Sequence, residues 1–291
     1  MLDSMTGNIS RPMNPDERSG ILHPERIARY AAGWIDPDPA VATVVDRYWH
    51  VSWSLDDGEE LDQRIVDLPA VTLTVEDGDV VAPLVATGVQ QRAWRRTIRG
   101  RGEIFGIRLR TAGLAVVSDL NPEDLADATI PLTPELDSRA HTLMSGVARR
   151  ATSLTRAREA DQLIAQLLSG RGVTQAGGVA NEVMDELRSN ARLSPGGVGA
   201  VRERWSERTV QRALMATLGH GPKWISRRIR LQEVAFALAF QRDEDLAMIA
   251  AQLGYSDQSH LAADFKAVAG VTPSSYRSEI ARLMTSGTAP S

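Results

Sequence analysis

The sequence predicts an α+β protein in two unlike parts: a small β-rich sheet or barrel with a helical pair behind it, then an all-α C-terminal domain. Three observations predict this. Between Val41 and Leu109, short β-branched and aromatic runs alternate with turn residues roughly every ten positions. From Thr133 the apolar period becomes that of a helix. Between Asp243 and Arg277, two short amphipathic stretches meet at Gly254 and are followed by further capping residues, the pattern of helices joined by tight turns. A chain of 291 residues has room for both parts.

Taken in order, residues 1–20 are rich in Met, Asn, Pro and Ser and read as a disordered tail. His23 to Trp34 begins the ordered chain, and Val41 to Trp53 reads as one or two strands. Asp56-Asp57-Gly58 is a turn signal. Val71 to Val75 alternates cleanly as a strand, Glu76 to Asp79 turns, and Val80-Val81 with Leu84 to Val89 continues the pattern. Ala93 to Ile98 and Ile104 to Leu109 flank Gly100-Arg101-Gly102 as a predicted hairpin. Thr133 and Pro134 then open a helix with Leu136, Ala140, Leu143, Val147 and Ala151 on one stripe. Thr155 starts a second, with Ala160, Leu163, Ile164, Leu167 and Leu168. Such a pair either packs on the sheet or meets a second subunit. Ser169 to Gly178 has the composition of a flexible linker.

Val179 to Arg188 begins the C-terminal helices, and Ser194-Pro195 caps the next, which Gly196, Gly197 and Gly199 weaken. Asp243 is the predicted N-cap for Leu246, Ile249, Ala250 and Leu253. Gly254 supplies a left-handed residue at the turn. Ser256 or Asp257 caps the following helix, whose Leu261, Phe265 and Val268 point inward while Gln258, Ser259 and His260 face out. Gly270 ends it, and Thr272-Pro273 starts a last helix. An amphipathic helix, a Gly turn and a polar-fronted helix form the geometry that sets a recognition helix into a major groove.

The run LGYSDQSHL…FK…G.TP..YR resembles the signature of the AraC/XylS family of bacterial transcription regulators. The resemblance implies two helix-turn-helix units joined by a linker helix. Trp205 to Arg212 resembles the start of the first recognition helix, Gly219 and Pro222 the turn after it, and Arg227 to Phe240 the linker helix. More weakly, the Trp49 stretch, Leu68-Pro69 and Phe105 to Val117 resemble the β-rich, cupin-like effector domain found before some of these regulators. Here Thr111-Ala112 stands where Pro-Gly is more usual, ahead of a short helix. The implied division is residues 1–20 tail, 21–132 sensor or effector domain, 133–170 helical pair with a dimerisation role, 171–178 linker, 179–283 DNA-binding domain and 284–291 tail.

Net charge is −4, but from Val173 onward fourteen basic residues face twelve acidic ones, and before it nineteen face twenty-five. A mildly basic C-terminal domain beside an acidic partner fits local phosphate contacts and modest non-specific DNA affinity. With no cysteine, disulfides, thiolate metal sites and a Cys nucleophile are excluded, including the alkyl-acceptor Cys of one family branch. The chain has no run of eighteen apolar residues and no signal peptide, so a cytoplasmic protein is expected.

Arg208, Gln211 and Arg212 share one face of the first recognition helix. Arg suits guanine and Gln suits adenine, and the resemblance carries base contact onto all three. Gln258, Ser259 and His260 hold the matching positions in the second unit. Asp264, beside Ala263 where relatives have a basic residue, points to weak direct readout there. The second unit is therefore expected to position the protein through helix-start amides and Lys266. Trp205 and Trp224 read as core or phosphate-edge packing. Trp49, Trp53 and Trp94, with Arg108, are candidates for an apolar ligand pocket, against the plainer reading of core. The Arg92, Arg95, Arg96, Arg99, Arg101, Arg108 and Arg110 cluster reads as a solvated hairpin face ahead of an anion site. His23, His50 and His141 are too scattered for a metal site.

The expected function is a sequence-specific DNA-binding regulator acting without cofactor or enzyme activity. Its expected partners are operator DNA and a second copy as homodimer, with RNA polymerase and a small-molecule effector allowed by the resemblance. The alternatives are an N-terminal interaction module without ligand, and an N-terminal enzyme fused to a DNA-binding domain. No nucleophile elbow, zinc triad or Gly-rich phosphate loop supports the enzyme.

Overall fold

The structure, a computed structural model, describes residues 30–191, 199–241 and 244–278. The expected tails, His23, the Ser194-Pro195 cap and Asp243 lie outside these residues. Eight strands are described: β1 (Tyr30–Ile35), β2 (Val45–Ser54), β3 (Glu60–Ile65), β4 (Thr72–Asp77), β5 (Leu84–Thr87), β6 (Trp94–Arg99), β7 (Arg101–Leu109) and β8 (Thr129–Pro131). Six form an antiparallel sheet in the order β1-β2-β7-β4-β5-β8, and β3 pairs with β6 in a separate ribbon.

Strand alternation gives the large sheet two different faces. Leu73 and Val75 of β4 and Phe105, Ile107 and Leu109 of β7 point to one side, where α1 (Leu114–Val117), α2 (Ser138–Ala148) and α3 (Ser153–Arg171) cover them. Tyr48 is fully buried in this layer, and its hydroxyl donates to Asp161 of α3 at 2.7 Å. Burial first, and Asp161 second, push that hydroxyl's pKa well above the ordinary tyrosine range. Met144, Val147 and Ile164 complete the layer, and each such buried side chain contributes about 1.5–3 kcal/mol. On the opposite face Trp53, Leu55 and Ile104 meet Leu61 and Ile98 of the ribbon. Trp49 and Trp53 of β2 lie directly across from Gly106 and Gly102 of β7, and a Cβ on either glycine would run into the indole.

The predicted hairpin around Gly100 does not form. Gly100 has φ +52°, but the turn carries the chain from one sheet to the other: β6 pairs with β3, and β7 pairs with β2 and β4. Charge selects the β3–β6 pairing, with Glu60 opposite Arg99 at 2.7 Å and Thr97 donating to Asp62 at 2.5 Å. The Arg92 to Arg110 cluster is accordingly dispersed: Arg96 pairs with Glu76, Arg108 with Asp46, and Arg110 with Asp185.

In the helical pair, α2 starts at Ser138 and not after Thr133. Asp137 caps it, accepting from Arg139 and Ala140 N–H, while Thr133 closes only a preceding turn and Leu136 is 41% exposed. α3 is capped by Thr152, with Thr155 as the third residue of a reciprocal capping box. The helices pack on the sheet. Segment 171–178, expected as a linker, is helical at both ends, because Thr174 caps α4 (Gln175–Asn190) immediately after Gly172.

The remaining helices are α5 (Gly199–Arg204), α6 (Glu207–Leu218), α7 (Pro222–Phe240), α8 (Leu246–Gln252) and α9 (Gln258–Ala269), followed by helical residues 273–278. α7 joins two small cores. Ile225 and Ile229 pack with Val183, Leu187, Val210 and Leu214 in the first. Leu231, Val234 and Leu238 pack with Ile249, Leu261, Phe265 and Tyr276 in the second. Phe236 is only half-buried and lies tilted against Phe240, with ring centroids 5.0 Å apart.

The β-rich domain docks on both cores. Leu68 and Val89 join the first and Val66 and Ala93 the second. Arg228 of α7, 3% exposed, donates to the carbonyls of Asp67, Gln91 and Arg92, and Gln232 donates to that of Val66. Burial pushes the Arg228 pKa down to about 10, against the pull of Asp67, so it stays charged at neutral pH. From α4, Asn181 accepts from the Thr111 hydroxyl and the Ala112 N–H and donates to Thr43 O, so the Thr-Ala pair forms part of the joint.

Asp46 sits between Arg108 at 2.6 Å and Arg188 of α4 at 2.7 Å. Burial alone would raise its pKa, but the two guanidiniums hold it well below the usual carboxylate range. A depressed carboxylate pKa adds stability that is complete above the unfolded value of about 4 and is lost as pH falls below it. Asp46→Asn is therefore expected to cost about 3 kcal/mol at pH 7, read from urea unfolding, and to flatten the loss of stability in acid.

Candidate functional site

Two helices present polar faces built by their caps. α6 is capped by Ser206, which accepts from Thr209 N–H, and closes at Gly219 with φ +70°. Val210, Ala213, Leu214 and Leu218 are buried, leaving Arg208, Gln211 and Arg212 exposed together. Neither Arg208 nor Arg212 has a carboxylate partner among the described residues. Gln211 leans over the turn to α7, where Gly221 leaves room for its amide.

The second helix is built the same way. Asp245 holds the N-cap position of α8 without a side-chain capping hydrogen bond, and Gly254 follows the helix at φ +71°. Asp257 then caps α9, accepting from His260 N–H at 2.8 Å, and Gly270 ends it at φ +77°. Leu261, Phe265 and Val268 face inward, while Gln258, Ser259, His260 and Lys266 are exposed. His260 is held at the helix start by Ser256 Oγ, 3.1 Å from Nδ1, and stands edge-on to Tyr255.

Asp264 is turned inward. Its carboxylate takes a forked contact from Arg227 of α7 at 2.6–3.0 Å and accepts from Tyr255 OH at 3.4 Å. It therefore fixes α9 to the linker helix and does not add a negative charge to the exposed face. Trp205 donates to Glu182 at 3.0 Å, and Trp224 stacks on His220 at 3.8 Å; both pack against the first core. The β-rich domain reaches α9 directly: Ala93 N–H donates to Val268 O at 2.9 Å, and the Arg95 guanidinium lies where a Cβ of Gly270 would project.

A separate cavity of about 80 Å³ lies between the large sheet and the ribbon. Trp49, Trp94, Ile104, Thr72, Thr74 and Gln90 line it, with Arg228 of α7 at its edge. Its Glu76 and Arg96 neutralise one another at 2.8 Å. Trp53 and Arg108 belong elsewhere. Trp53 packs in the ribbon core and donates to Arg99 O, and Arg108 is committed to Asp46. Sequence reasoning missed Arg228, Gln232 and Arg230, because a basic residue on a long amphipathic helix carries no mark of what it will face. Among the described residues no cluster of His, Cys, Asp and Glu could hold a metal ion, and no helix is long and apolar enough to cross a membrane.

Residues 200–279 match a family described as a helix-turn-helix domain, and residues 34–131 match one described as a domain of unknown function (DUF6597). No curated protein matches the chain. Among solved structures it is similar to ToxT from Vibrio cholerae. The O395 protein bound to (E)-4-(8-methylnaphthalen-1-yl)but-3-enoic acid is 10% identical, with TM-score 0.42 over 87% of this chain and 99% of that one. The wild-type protein of strain SCE256 with bound unsaturated fatty acid is 11% identical, with TM-score 0.36 over 90% and 94%. Likeness of that degree says nothing of this chain's ligand or target. The C-terminal domain is a DNA-binding domain of the helix-turn-helix class, with two exposed recognition helices on one linker helix. The helix-turn-helix match falls on the part of the chain whose sequence resembles the AraC/XylS regulators.

The Asp257 cap orders the start of α9. Asp257→Ala is expected to lower stability by about 1 kcal/mol, visible as a reduced Tm, with the first core unaffected in hydrogen exchange.

Proposed function

We propose that the protein binds a specific operator with α6 as its principal base-reading element. The observation that carries this is the exposed face of Arg208, Gln211 and Arg212, set on a helix whose other face is buried, with neither cation paired to a carboxylate among the described residues. Arg208 and Arg212 would read guanine and Gln211 adenine. In the second unit, Gln258, Ser259 and the tethered His260 would sit at the α9 start, where backbone amides and Lys266 hold phosphate. Homodimer formation and contact with RNA polymerase belong to the same reading.

The N-terminal domain would act as a sensor through its cavity. The supporting feature is position: Trp49 and Trp94 line it, and Arg228 at its edge belongs to the helix that carries both recognition units. Its wall combines Trp49 and Trp94 with the Glu76–Arg96 pair and with Arg228, whose donors are met by main-chain carbonyls, which suits a small molecule with aromatic and hydrogen-bonding character.

Arg212→Ala is expected to cost about 1–3 kcal/mol on the cognate duplex, with a much smaller loss on competitor DNA, measured by fluorescence anisotropy. Equal losses on both would remove α6 from base reading. For the sensor, a compound that enters the cavity should raise Tm in wild type and not in Trp94→Ala. A compound library that stabilises neither would favour a domain without ligand.

A further inference from the structure

The side of α7 between the two recognition helices carries positive charge. Lys223, Ser226, Arg227 and Arg230 follow the spacing of a single helix face. Toward α6, Arg208, Gln211, Lys223, Ser226 and Arg230 line a groove of about 610 Å³, with Arg202 at its rim. Toward α9, Arg227 is forked onto Asp264, and Arg230 lies over the Tyr255 ring at 5.2 Å. This face therefore spans the gap between the two units.

Two observations show charge waiting for a partner. Arg230 Nε is shielded from solvent yet among the described residues donates to no acceptor, although buried donors are rarely left so. Lys223 is exposed and, like Arg208, has no carboxylate partner among the described residues. The acidic group in the groove, Glu207, is already answered by Arg202 at 3.3 Å.

We propose that Lys223, Ser226 and Arg230 bind the phosphate backbone of the duplex where it passes between the major-groove sites of α6 and α9. The inference rests on the DNA-binding reading above and adds a third contact surface to it. With both recognition helices on one continuous duplex, the strand between them would pass beside this face of the linker helix. An ammonium, a hydroxyl and a guanidinium edge are donors that suit phosphate oxygens. Such contacts set register and contribute affinity without reading bases.

The test uses the full chain. Duplexes are first enriched from a random library with wild type. Binding is then measured across salt for wild type, Lys223→Gln, Arg230→Gln and the double variant, with Arg212→Ala for contrast. Each single variant should make the slope of log affinity against log salt shallower by about 0.9, and the double by about 1.8. At ~0.15 M salt the double variant should bind about 30-fold more weakly to cognate and competitor alike, leaving their ratio unchanged. Arg230→Lys should restore most of the slope, which separates charge from packing on Tyr255. If wild type binds a specific duplex and the exposed Lys223→Gln change leaves the slope unaltered, the inference is overturned and the recognition-helix reading stands. Enrichment of no duplex by wild type would overturn both.

Discussion

The structure depends on finding acceptors for one buried guanidinium. Arg228 lies at the middle of α7, and its donors are met by the other domain. The loops ending β3 and β5 supply them at Asp67, Gln91 and Arg92. Leaving these donors unmet would cost about 1–3 kcal/mol or more, comparable to a large share of a domain's net stability. The docked arrangement follows: the same loops bring Val66, Leu68, Val89 and Ala93 onto the two helical cores and place the cavity beside the linker helix.

The helical half was largely legible in the sequence because its boundaries are set by local chemistry. Gly219, Gly254 and Gly270 each take the left-handed conformation that only glycine adopts cheaply, and Ser206 and Asp257 cap as their side chains allow. Strand existence was legible where residue type alternates, as at Thr72 to Val75, although both faces of that strand are buried. It was not legible in β3, whose Glu-Leu-Asp-Gln-Arg-Ile run has only Leu61 fully buried, nor in the three-residue β8. Which strands pair is a tertiary matter. Gly100 signalled a turn correctly, but the partners of β6 and β7 were decided by Glu60 and by β2 and β4, distant in sequence.

The site shows the same division. Side chains fixed by their own helix, such as Arg208, Gln211 and Arg212, stand as the periodicity requires. Side chains whose role depends on a neighbouring element were misread. Asp264 looked like a negative charge on a recognition helix and is instead the anchor of Arg227. Trp53 and Arg108 looked like pocket residues and are consumed by the ribbon core and by Asp46.

The joint between the domains has an unusual electrical character. Arg228 and Gln232 are held by main-chain carbonyls, and Ala93 bonds Val268 backbone to backbone. Buried dipolar contacts of this kind are barely screened by dissolved ions, whereas contacts to DNA phosphates weaken steeply as ions are added. A rise in ionic strength would therefore weaken contacts to a duplex, and the part-exposed Arg110–Asp185 pair, more than it weakens these buried bonds. On the proposed reading, changes in salt would alter occupancy of the duplex while Arg228 and Gln232 still tied the cavity's domain to α7.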